Sequence, residues 1–72
     1  MICYKPFWKT LAKSDESTYS LIHKYNISSS TIHKLRTNMP LNTTTINDLC
    51  RILECSIQDI AEYIPSDEDQ PL

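Results

Sequence analysis

The residues best equipped for chemistry are three consecutive serines, Ser28, Ser29 and Ser30, with Lys34 one helical turn after Ser30. Their hydroxyls donate and accept hydrogen bonds, and the ammonium adds charge and three donors. Catalysis is not expected of them. His33 shares their helix surface, but no third group is placed to orient a triad, no carboxylates pair in a plausible cleft, and a chain without glycine has no phosphate-cradling loop. Cys3, Cys50 and Cys55 form neither an even framework nor a C-x-x-C pair, and His23 and His33 lie ten apart. A zinc site would have to gather these residues from four separate elements, so neither metal nor cofactor is expected.

The serines lie inside Ser17–Arg36, STYSLIHKYNISSSTIHKLR, which the rest of the chain must position. Leu21 and Tyr25 fall four apart, Ile32 and Leu35 three apart, so each half keeps a helix period. Between them Asn26 suits the left-handed conformation that ends a helix, and Ser28 suits an N-cap. The stretch predicts a helix over Thr18–Tyr25 capped by Ser17, a tight turn, and a helix over Ser29–Arg36. With only two apolar residues in its first eight positions, the second helix has most of its surface free of any core. Asn38 is the next expected left-handed terminator, and Pro40 prevents continuation.

Upstream, Met1–Lys5 reads as a short strand or extended arm. Pro6 opens a first helix with Phe7 or Trp8, Leu11 and Ala12 on one stripe. Lys5, Lys9 and Lys13 form a ridge along it, read as a solvated face. Downstream, Asn42 caps TTTINDLCRIL, where Ile46, Leu49, Cys50 and Leu53 follow an i, i+3, i+4, i+7 stripe that makes Cys50 a small core residue. Ser56 and Asp59 resemble a capping box opening a fifth helix, about Ile57 to Tyr63, which Pro65 stops. The domain then runs from 1 to 64, and the acidic tail, 65–72, is expected to be disordered. The predicted class is all-α, a compact bundle of five short helices.

Seventy-two residues make one small domain, near the size at which a single core supplies only a few kcal/mol and association helps. No apolar run approaches the ~20 residues of a membrane span, and no secretory signal is visible, so a cytoplasmic protein without membrane contact is expected. The formal charge of −2 conceals an asymmetry. Residues 1–40 carry Lys5, Lys9, Lys13, Lys24, Lys34 and Arg36 against Asp15 and Glu16, a balance of +4. Residues 41–72 carry Arg51 against seven carboxylates, a balance of −6. The first half is the one suited to face a polyanion.

The ordered set of elements resembles the Cro/C1-type helix-turn-helix family of transcriptional regulators. I-C-Y-K-P-F-W-K-T-L, I-S-S-S-T and I-x-D-I-x-E-Y-I-P look like its small single-domain bacterial members, with Asn26 where the family usually has glycine. The resemblance spans nearly everything from Met1 to Pro65 and implies a lambda repressor-like DNA-binding domain. It implies double-stranded DNA as the partner, with Ser29, Ser30 and Lys34 toward base edges in the major groove. Ser28, Ser17 and Thr18 are implied at phosphates, with Arg36 and the Thr37–Asn42 loop, including Asn38, adding backbone contacts. A homodimer acting as a repressor is expected, through either helix five with Tyr63 and Ile64 or an arm in which Ile2 and Tyr4 pair edge to edge. No small-molecule effector domain is visible. The competing reading is an antirepressor or antitoxin-like interaction module that keeps the fold without binding DNA.

Overall fold

The computed structural model describes residues 1–72. In chain order it holds β1 (Ile2–Cys3), α1 (Lys5–Lys13), α2 (Thr18–His23), α3 (Ser29–Thr37), α4 (Thr43–Leu53), a 3-10 turn (Ile57–Asp59) and β2 (Glu62–Tyr63). The four helices stand where the hydrophobic period put them, except that α2 ends at His23, two residues before the expected Tyr25, and α3 runs one residue past Arg36 to Thr37. Each helix buries one stripe in a common core of Tyr4, Phe7, Leu11, Leu21, Ile32, Leu35, Leu49 and Ile60. Of the stripe expected on α4, Leu49 is fully buried, while Ile46, Cys50 and Leu53 are half-buried against that core. No buried side-chain polar atom lacks a hydrogen-bond partner.

Two expectations are corrected. The fifth helix is a single 3-10 turn, and the fold is four α-helices with a two-stranded antiparallel sheet rather than all-α. The capping pair does form, with the Ser56 N–H donating to Asp59 Oδ2 at 3.0 Å. It nucleates only the turn. A seven-residue helix is marginal by itself, and Glu62 and Tyr63 instead meet β1 in the register Ile2 to Tyr63 and Cys3 to Glu62. Met1 and Ile64 extend the ladder, Ile64 N–H donating to Met1 O at 2.8 Å and Met1 N to Ile64 O at 2.7 Å. The tail makes a turn in which Asp69 N–H donates to Ser66 O at 3.2 Å, and Asp69 pairs with the Met1 nitrogen at 2.7 Å.

Three non-glycine residues take the left-handed conformation, Asn26 (φ 60°), Asn38 (φ 56°) and Glu54 (φ 52°). Asn38 stops α3 as its chemistry predicts, whereas α2 ends at His23 with Lys24 as a right-handed cap and Asn26 turns the chain two residues later. Glu54 is the left-handed cap of α4, with the Cys55 N–H reaching back to Cys50 O at 3.0 Å. Glutamate is poorly suited to this region because its Cβ crowds the following carbonyl. Glu54→Gly is therefore expected to raise stability by roughly 0.5–1 kcal/mol in urea denaturation. A destabilised variant would show that the Glu54 side chain contributes more than its backbone strain costs.

The turn that joins α2 to α3 is braced by Glu16. Its carboxylate accepts from Tyr25 Oη at 2.7 Å and from Ser20 Oγ at 3.0 Å, with Lys24 Nζ at 3.9 Å. The Tyr25 hydrogen bond, then the Ser20 bond, hold its pKa below the ordinary 4.5, and the Lys24 charge adds to them. A depressed folded pKa means stabilisation present above the unfolded value and lost as pH falls through the folded one. Melts from pH 6 to pH 3 should therefore show wild type losing stability relative to Glu16→Gln. Parallel curves would remove this role.

Candidate nucleic-acid interface

Helix α3 is seated by Ile32 and Leu35, which are buried, and its remaining surface is exposed apart from Thr31. At about 100° per residue, Thr37 and Lys34 lie within about 40° of the Ser30 meridian, His33 about 60° and Ser29 about 100° away. Ser30 and Lys34 thus share the centre of the free face, with Ser29 at its margin near the helix start. His33 lies nearer that centre than Ser29 does, and the same wheel drawn on the sequence would have placed it there.

Each helix start leaves donors over. Ser28 Oγ accepts from Thr31 N–H at 3.0 Å, so the N–H groups of Ser29 and Ser30 bond to nothing within the chain. Ser17 Oγ accepts from Ser20 N–H at 3.1 Å, while Ser17 N–H donates to Ser20 Oγ at 2.8 Å, a reciprocal box that leaves the Thr18 N–H open. Asn42 Oδ1 accepts from Thr45 N–H at 2.8 Å and leaves those of Thr43 and Thr44. Capping and open donors therefore coexist at all three.

The other anticipated residues divide. Asn38 directs Oδ1 inward to the Tyr4 N–H at 2.9 Å, which keeps its Nδ2 as the remaining donor. Thr37 Oγ1 donates to His33 O at 2.9 Å, so its hydroxyl proton is committed within the helix. Arg36 stacks its guanidinium 5.2 Å over the Trp8 ring, and the Trp8 indole N–H donates to Leu35 O at 3.2 Å. Sequence reading had Arg36 only as a source of charge. The structure makes it part of a brace from α1 to the last turn of α3, where an unpaired carbonyl needs a donor. Neither Lys34 nor Arg36 has a carboxylate within ion-pair distance, whereas Lys24 is shared with Glu16.

No three His, Cys, Asp or Glu side chains gather as metal ligands. Burial, with the neighbouring Cys50 and Asp59 acting the same way, pushes the Cys55 thiol up to about 11, so it stays protonated at neutral pH. No helix is long and apolar enough to cross a membrane.

Residues 7–66 match the model of the Cro/C1-type HTH DNA-binding domain. The chain belongs to that family. A crystal structure of the transcriptional regulator VanUg aligns with this Cro/C1-type domain at a TM-score of 0.80 and 31% sequence identity, covering 90% of this chain and 87% of that one. No curated protein sequence matches it. Within the family architecture α2 and α3 are the helix-turn-helix pair, and the capped starts of α2, α3 and α4 are the ends whose donors stay open.

Proposed function

We propose that this Cro/C1-type domain is a sequence-specific transcriptional regulator, a repressor, that binds duplex DNA as a homodimer with α3 in the major groove. The reading rests on one observation above the others: the centre of the α3 face packs on nothing and carries Ser30 and an unpaired Lys34. Short side chains at its leading end let the backbone approach the bases, and Ser29 and Ser30 donate or accept there. Lys34 donates to guanine O6 and N7. Ser17, Thr18, Ser28 and Asn42 sit where open backbone donors meet phosphate oxygens, and Arg36, Thr37 and Asn38 border the same strand. Similarity to VanUg supports the regulatory role. Repression follows from simple occupancy of an operator, and no cofactor or catalytic step enters.

Fluorescence anisotropy against the chain's own promoter region and against random duplex is the direct test. Affinity for the promoter is expected to exceed that for random DNA and to fall at least tenfold between 50 and 200 mM salt, because each neutralised phosphate releases counterions. Binding absent at low salt would favour the interaction-module reading instead.

A further inference from the structure

Arg36 is held in a way that no other cation of the chain shares. Its guanidinium lies 5.2 Å over the Trp8 ring, within the range of a cation–π contact, and no carboxylate is within ion-pair distance. Lys24, the other cation over a ring, sits 5.1 Å from the Tyr25 centroid but shares its charge with Glu16. Stacking engages the flat face of a guanidinium and leaves its in-plane N–H donors free at the rim. The Arg36 group is therefore fixed without being neutralised.

The ring that holds it is fixed in turn. Phe7, fully buried, meets Trp8 edge to face with centroids 4.9 Å apart and planes at 81°. The indole N–H donates to Leu35 O at 3.2 Å. Leu35 immediately precedes Arg36, so one indole grips the backbone and the side chain of consecutive residues. Trp8 is half-buried and Arg36 exposed, so the pair carries the rigidity of the core out to a surface charge. A free arginine side chain loses rotamer entropy when it closes on an anion, whereas a stacked one has lost part of it on folding.

Placement gives the arrangement a use. Arg36 falls six residues after Ser30, which puts it about 120° round α3, on the side of Ser29 and His33. When the centre of the free face meets base edges, side chains that far round meet the wall of the groove, where the phosphates run. We infer that Trp8 is a positioning residue for DNA binding: without touching the duplex, it holds the Arg36 guanidinium rim-outward so that a pair of its N–H groups closes on one backbone phosphate. The inference rests on the DNA-binding reading and adds to it a residue of α1, outside the helix-turn-helix pair.

A double-mutant cycle separates positioning from a mere brace between α1 and α3. Wild type, Trp8→Leu, Arg36→Ala and the double variant are titrated by anisotropy against the promoter duplex from 50 to 200 mM salt, with circular dichroism to verify folding. Trp8→Leu is expected to weaken binding about fivefold per half-site. Arg36→Ala should weaken it at least as much and reduce the salt slope by about 1 per half-site. Adding Trp8→Leu to Arg36→Ala should then change affinity by less than about twofold, since no guanidinium remains to be placed. Acrylamide quenching of Trp8, the only tryptophan, reads the same coupling without altering the ring. Quenching should fall when wild type binds duplex, because a phosphate that fixes Arg36 fixes the cover over the indole, and should not fall in Arg36→Ala. Folded Trp8→Leu that binds as wild type, or that weakens binding equally in both backgrounds, overturns this inference alone, as does quenching that falls equally in wild type and Arg36→Ala. A wild type that binds no duplex at any salt sinks the DNA-binding reading and this inference with it.

Discussion

Asn38→Ala is expected to cost roughly 2–5 kcal/mol, a large share of the about 4–10 kcal/mol available to a domain of this length. Two losses add. Asn38 ends α3 at φ 56° and ψ 38°, a conformation that alanine adopts at a cost of roughly 1–2 kcal/mol. Its Oδ1 also accepts the half-buried N–H of Tyr4, 34 residues away, and an orphaned donor there costs about 1–3 kcal/mol. Asn38→Gly separates the terms, since glycine restores the backbone but not the acceptor, and it should lose about half as much. Urea denaturation of the three proteins measures this directly. If alanine and glycine were equally damaging, the left-handed backbone would have no part in the effect; if glycine were neutral, the Tyr4 bond would have none. The functional consequence follows from position. Asn38 joins the end of α3 to Tyr4 at the N-cap of α1, so a variant that survives folding is expected to hold α3 less firmly in place.

Lys34→Ala is expected to weaken binding to the selected site by about 5- to 150-fold per half-site, the equivalent of 1–3 kcal/mol for a good contact to a base edge. Binding to random duplex should weaken much less, because a base contact carries sequence information and a phosphate contact does not. Lys9→Ala is the control. It removes the same charge from the exposed ridge on α1 and should change affinity by no more than about twofold. Lys34 is exposed and unpaired, so its removal should leave stability within about 0.5 kcal/mol. Unchanged affinity in both Lys34→Ala and Ser29→Ala would falsify the assignment of α3 as the reading helix. Equal losses for Lys34→Ala and Lys9→Ala would reduce Lys34 to general electrostatics.

The pieces of this domain that could be read from sequence are those whose causes lie within a few residues. Ser17, Ser28 and Asn42 cap the helices they precede because a side-chain oxygen there reaches an N–H three residues on. Asn26 in the α2 to α3 turn and Asn38 at the end of α3 take positive φ because their short polar side chains tolerate it. The buried stripe through Leu21, Ile32, Leu35 and Leu49 follows from helix period. The free face of α3 follows as well, being what the period leaves unpacked.

Tertiary structure decided the features whose partners are distant in the chain. Glu62 and Tyr63 carry a pattern compatible with helix, and they become a strand because β1, some sixty residues earlier, offers a ladder. Arg36 and Trp8 are unremarkable in their own segments until α1 crosses the end of α3 and one stacks on the other. Asn38 shows both levels in a single residue: its backbone conformation was set by its own chemistry, and its side chain by Tyr4. Local hydrogen bonds within a turn need only a short sequence to form, whereas a two-residue strand or a stacked pair has no stability until the core brings its halves together.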